Sequence, residues 1–228
     1  MKRALIHIGP HKTGSTYIQQ MMKVNADLFP ESHAAHLKSD PLFSALQSLA
    51  INIRTHADLA QRLPAIQDTS AQIARGLNAE NTLFSSEDLL GPVPTLAGVS
   101  GLYPFVDQTL PAIQSAFLAA GVEVQFFCYI REYDDWLRSV HAHRFRGRER
   151  PFAPRKFKTR SALPNDWADF IARLRASLGP ANVANLSYET DAASGRMGSA
   201  LFRVFGLSEG VLNQMDWIAP VNVSPRSP

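Results

Sequence analysis

Two hydrophobic rhythms alternate along the chain. Short apolar-rich runs of strand length occupy Arg3–Ile8, Thr82–Ser85, Val122–Ile130 and Val183–Ser187, the third being the strongest. Runs of this length, bounded by polar or turn residues, read as strands buried on both faces. Between them, apolar residues recur at helical spacing: Tyr17, Ile18, Met21 and Met22 after Gly14, then Val106–Ala120, about Asp134–His143, Trp167–Leu178 and about Met197–Phe205. Residues 26–80 are polar and Ala-rich and read as mostly helical, with breaks near Pro30, Pro41 and Pro64. Three prolines and three glycines make Gly91–Pro104 a loop. Strands alternating with helices predict an α/β fold with a parallel sheet covered on both faces.

Ligands of such sheets bind beyond the carboxyl ends of the strands, and three polar clusters fall there: Gly9–Thr16, Ser85–Asp88 and Arg131–Ser139. In the first, "HIGPHKTGSTYIQ", Gly9 and Gly14 permit a tight turn with inward N–H groups, and Ser15 and Thr16 open a helix. Such a turn suits a phosphate, with Lys12 as a point charge. The nucleotide-triphosphatase pattern G-x-x-x-x-G-K-[ST] places its Lys after the second Gly, whereas Lys12 precedes Gly14 by two residues. That displacement counts against ATP. An ordinary strand-to-helix turn with an exposed lysine is the simpler alternative.

Composition narrows the class. With 228 residues, 45% hydrophobic and 19% charged, the chain suits one α/β domain over residues 1–228. No stretch approaches the roughly 18 apolar residues of a membrane span, and the Ala4–Ile8 run is too short for a signal-peptide core, so a soluble, cytoplasmic protein without a transmembrane segment is expected. Cys128 is the sole cysteine, which excludes an internal disulfide, and its setting "FFCYI" predicts a buried, inert thiol. The net charge of +3 hides an asymmetry: residues 144–160, "RFRGRERPFAPRKFKTR", hold eight Arg or Lys against one Glu. That basic loop can face nucleic acid, an acidic substrate or water.

The loop resembles the 5′-phosphosulfate-binding loop of sulfotransferases that use 3′-phosphoadenosine 5′-phosphosulfate (PAPS), particularly their bacterial branch, whose typical form is P-K-[ST]-G-[ST]-T. Here His11 stands between Pro10 and Lys12. The family reads the donor's 3′-phosphate through the pattern R-N-P-x-D-x-x-x-S, and "REYDDWLRS" puts Arg131, Asp135 and Ser139 in register, with Glu132 and Tyr133 in place of Asn and Pro. A guanidinium can fork onto a phosphate while a helix hydroxyl donates a further bond. "NVANLSYETDAASGRMGSALFRVFGL" is similar to the family's late strand, acidic turn and helix, and the chain's end, "PVNVSPRSP", stands where more helix is expected, so the domain reads as either naturally short or truncated there.

The resemblance implies a three-layer α/β/α fold with a central parallel sheet, the P-loop-like sulfotransferase architecture. It implies PAPS as co-substrate, with no metal, held by Gly9, Pro10, His11, Lys12, Thr13, Gly14, Ser15, Thr16, Arg131 and Ser139. The implied reaction is sulfuryl transfer to a hydroxyl, on a small molecule, a carbohydrate or a glycolipid. Such transfer needs charge stabilisation, assigned to Lys12, and a base for the acceptor's proton. Glu87, at the end of the Thr82–Ser85 strand, ranks first as base, His36 second and His11 third; a surface Glu opening a helix, and uninvolved loop histidines such as His33 and His36, are the alternatives. Trp136 and Trp167 read as core. Two rival functions remain: a P-loop kinase of a small molecule, which needs ATP and Mg²⁺, and a nucleic-acid-binding protein using residues 144–160, for which charge is the only motif.

Overall fold

In the computed structural model, which describes residues 1–37, 39–94, 99–146, 149 and 152–218, five strands form one parallel sheet. They are β1 (Lys2–His7), β2 (His33–His36), β3 (Asn81–Ser85), β4 (Val122–Ile130) and β5 (Val183–Ser187), in the spatial order β2-β3-β1-β4-β5. Strand β1 lies centrally, pairing with β3 on one side and β4 on the other. The chain leaves β1 toward β2 and leaves β4 toward β5, so the outgoing connections diverge between β1 and β4. A crevice beyond the carboxyl ends of that pair is where an open parallel sheet receives its ligand.

Alternation along the central strands sorts side chains onto two faces. Ala4, Ile6, Val124, Phe126 and Cys128 join one buried cluster, while Leu5, Phe127 and Tyr129 join the other. The first is covered by α2 (Pro41–Ile51), α3 (His56–Gly76), α4 (Val106–Ala119), α5 (Tyr133–Arg144), α6 (Pro154–Arg160) and α7 (Ala168–Leu178). The second is covered by α1 (Ser15–Val24), α9 (Ser199–Phe205) and α10 (Glu209–Gln214), with α8 (Tyr188–Ala193) following β5. Helices thus lie on both faces, as the patterning predicts. Cys128 is fully buried and burial pushes its thiol up to about 12, which makes it inert at neutral pH. Among the described residues no helix is long and apolar enough to cross a membrane.

Three sequence expectations are corrected. The mostly helical reading of residues 26–80 misses β2, so His33 and His36 lie on a strand that pairs with β3 instead of in a loop. Pro64 does not break the helix: α3 runs through it, started by a reciprocal capping box between Thr55 and Asp58 and held by buried Leu59, Ile66 and Ile73. Pro41 begins α2 at a position where its missing N–H costs nothing. The basic loop contains α6, opened by Pro154 and anchored by buried Phe157.

Candidate active site

The turn after β1 is closed by Thr13, whose N–H and hydroxyl both donate to the Pro10 carbonyl, at 3.2 and 2.6 Å. Lys12 sits at its apex in the left-handed region, φ 74°. Gly14 precedes α1 at φ 91°, and a Cβ there would lie 2.9 Å from Met197 Cε; one on Gly9 would lie 2.7 Å from His7 Nε2. Gly9 is therefore required by space, and Gly14 by its left-handed backbone. Helix α1 has no side-chain cap and no acid in its first turn, and the buried Ser15 hydroxyl has no hydrogen-bond partner among the described residues. Orphan N–H groups and a positive helix end are thus left for an anion.

Distant aromatics fix this loop. The His11 N–H donates to the Tyr103 hydroxyl at 2.9 Å, and the Trp136 indole N–H donates to the His11 carbonyl at 2.8 Å. Tyr103 comes from the loop preceding α4, and burial raises its pKa far above the usual phenol range, so it keeps its proton. Its nearest acceptor is His11 Nδ1, 3.1 Å away. With Nδ1 accepting, the neutral ring carries its hydrogen on Nε2, which faces Asp88 Oδ1 at 3.6 Å.

The second cluster follows β4. The Arg131 carbonyl accepts the Trp167 indole N–H at 2.7 Å, and its guanidinium lies over the Tyr188 ring, 5.1 Å from the centroid. Glu132 accepts from the backbone N–H groups of Asp134 and Asp135, at 3.0 and 2.7 Å, and so caps α5. That cap starts the helix at "REYDDWLRS" without an Asn-Pro turn. Asp135 pairs with Arg138 on the helix surface. Ser139 is buried on the same stripe of α5 as Trp136 and His143, one helical repeat apart.

Charges converge on the loop from separate segments. Burial, Arg146 and Arg131 together lower the Lys12 pKa, and Glu87 opposes them. Burial, then Lys12, His11 and Arg146, lower that of His143, which favours its neutral form. A cationic field unfavourable to its own lysine is one that an anion relieves.

The third cluster carries Glu87. Ser86 caps a short 3₁₀ turn, Glu87–Leu90, by accepting from Asp88, so the helix-opening alternative for Glu87 is correct about its backbone. Its side chain nevertheless turns toward the loop: Gln19 of α1 donates to Glu87 Oε2 at 3.0 Å and to the Ser85 carbonyl at 3.2 Å. His36 ends β2, stacked on Phe84 with Nδ1 2.8 Å from Asp40 Oδ2. Two strand spacings separate β2 from β1, roughly 10 Å across the sheet. His33 bonds the Phe205 carbonyl through Nε2 and belongs to the packing around α9.

A cleft of about 780 Å³ opens beside Arg131, floored by Trp167, Ile171 and Leu186. It lies toward α7 and β5, with Arg131 between it and the β1 loop. No protein-family model matches the chain, and no curated protein matches it significantly. Sequence reading missed Tyr103, Gln19 and His143 as neighbours of the loop, while Arg146 falls in the basic segment 144–160 read as able to face an acidic substrate. For His143 a signal existed, its four-residue spacing from Ser139 on the predicted helix; Tyr103 and Gln19 had none.

Proposed function

We propose that the protein is a PAPS-dependent sulfotransferase acting on a hydroxyl acceptor. The observation that carries this reading is the meeting of Lys12 and Arg131, one from each motif, beside the uncapped N-terminus of α1 with Glu87 as counter-charge. Lys12 and Arg131 are the cations of the two motifs that resemble the sulfotransferase family, and they follow β1 and β4, the strands between which the connections diverge. PAPS fits the residues present: the free helix terminus and the partnerless Ser15 hydroxyl suit its 5′-phosphosulfate, and Arg131 with Ser139 suits its 3′-phosphate.

When bound, that donor supplies a sulfuryl group whose bond to phosphate oxygen breaks as the bond to the acceptor oxygen forms, the acceptor's proton passing to a base. The chain's own residues supply the rest. Lys12 holds positive charge at the apex of the turn where negative charge builds up. Arg131 and Ser139 fix the far end of the donor, so that binding energy becomes alignment. Glu87 accepts the proton, oriented by Gln19.

Thermal-shift measurements with adenosine 3′,5′-bisphosphate, with ATP and Mg²⁺, and with an oligonucleotide separate this reading from a kinase and from a nucleic-acid-binding protein, because a ligand raises the melting temperature only of the protein that binds it. Stabilisation by the bisphosphate alone is expected. Stabilisation by ATP with Mg²⁺, or by the oligonucleotide, without response to the bisphosphate contradicts it.

A further inference from the structure

The donor motifs do not use all of the positive charge around the loop. Along α5, Trp136, Ser139 and His143 form one stripe, and Arg146 continues it in the turn that follows. Trp136 is bonded to the His11 carbonyl, so this stripe starts at the loop and runs outward across it. With a rise of about 1.5 Å per residue, His143 stands about 6 Å beyond Ser139 and Arg146 about 10 Å beyond it.

The outer end of the stripe is held in place. The Arg146 N–H donates to the His143 carbonyl at 3.3 Å, and His141 Nε2 lies 2.8 Å from the Phe152 carbonyl. Phe145 packs edge-on against Phe152 and Phe157, the latter buried. This aromatic cluster ties the start of the basic segment back onto α6, which fixes the backbone of residues 143–146 while leaving His143 and Arg146 themselves exposed. The Arg146 charge acts on Lys12, and both act on His143.

Resting on the sulfotransferase reading, we infer that His143 and Arg146 form an acceptor-side anion subsite, and that the accepting molecule carries an acidic group, a carboxylate or a sulfate, near its reacting hydroxyl. Ser139 occupies the inner part of the stripe and, with Arg131 just ahead of α5, answers the donor's 3′-phosphate; Lys12 answers its 5′ end. Arg146 stands at the outer end of the stripe, in the turn after α5. A guanidinium there forks onto a carboxylate or sulfate oxygen pair, and a neutral His143 adds one N–H donor without competing for the charge. The exposed, pinned geometry suits a second molecule that enters and leaves in each turnover.

The test uses the full chain and two titrations. First, adenosine 3′,5′-bisphosphate is titrated onto wild type, Arg131→Ala and Arg146→Gln; the expected result is a tenfold or greater loss for Arg131→Ala and less than twofold for Arg146→Gln. Second, bisphosphate-saturated protein is titrated with phenyl glucuronide and with phenyl glucoside, which differ in a single carboxylate. The glucuronide is expected to bind at least tenfold more tightly to wild type, and the preference to vanish in Arg146→Gln. Equal affinity for the two glycosides, including no measurable binding of either, overturns the subsite. So does a loss of bisphosphate affinity in Arg146→Gln as large as that in Arg131→Ala, which assigns Arg146 to the donor. Absence of bisphosphate binding to wild type overturns the sulfotransferase reading itself, and the subsite with it.

Discussion

Trp136 and Trp167 pack edge-to-face with ring centroids 4.7 Å apart, and each gives its indole N–H to a carbonyl of one candidate motif, Trp136 to His11 and Trp167 to Arg131. One aromatic pair thus sets the spacing between the β1 loop and the start of α5. Trp136→Phe keeps most of the apolar volume and removes the donor, leaving the His11 carbonyl buried without a partner. A loss of about 1–3 kcal/mol in urea unfolding is expected, with weakened bisphosphate binding because the loop is no longer held. Unchanged affinity in this variant means that the loop is positioned by Tyr103 alone.

Lys12 combines a left-handed backbone with the apical charge. Lys12→Ala keeps the strain and loses the charge, so turnover falls by about 10²–10³ while the fold persists. Lys12→Gly loses the same charge and relieves the backbone. It should be as inactive as Lys12→Ala and more stable by about 1 kcal/mol. Circular dichroism melts beside a transfer assay check both.

Glu87→Gln preserves size and the contact with Gln19 but cannot accept a proton. Transfer should fall by about 10²–10⁴, with bisphosphate affinity nearly unchanged because Glu87 follows β3, whereas the two donor motifs follow β1 and β4. His36→Ala is the parallel variant. Normal turnover in Glu87→Gln together with an inactive His36→Ala moves the proton to the His36–Asp40 pair.

His7 is fully buried, and burial lowers its pKa to about 3. It stays neutral in the fold while the unfolded chain takes up a proton below pH 6.5. The unfolded state therefore binds more protons between pH 6.5 and about 3, and stability falls as pH falls through that window. This single group contributes a slope of about 1.4 kcal/mol per pH unit. His7→Asn, which retains a polar partner for Ser85 Oγ, 2.8 Å from His7 Nδ1, should flatten that part of the profile. Urea melts at pH 7.5, 5.5 and 4.5 measure the difference.

Legibility in the sequence followed the locality of each signal. Strand β4 is a nine-residue apolar run whose boundaries read directly as Val122–Ile130. Strand β2, "HAAH", has no pattern of its own and exists through its pairing with Asn81–Phe84. Pro64 signals a break that the packing of α3 overrides, and α6 is hidden because charge dominates a segment with one buried anchor, Phe157. For the candidate site, spacing alone singles out the glycines, Lys12, Arg131 and Ser139 as candidates. The contacts that hold the β1 loop had no such signal: Tyr103 and Trp136 reach His11 from 92 and 125 residues away, and no local pattern encodes such a contact.

The central claim is that Arg131 and Ser139 read a 3′-phosphate while the β1 loop holds the 5′ end. Calorimetric titration of the metal-free protein with adenosine 3′,5′-bisphosphate and with AMP tests it most directly, since the two ligands differ only in that phosphate. Charge-assisted contacts of this kind are worth roughly 1.5–3 kcal/mol each, so the bisphosphate should bind at least tenfold more tightly, and Arg131→Ala should erase the difference. Equal affinity of the wild-type protein for the two nucleotides contradicts the account.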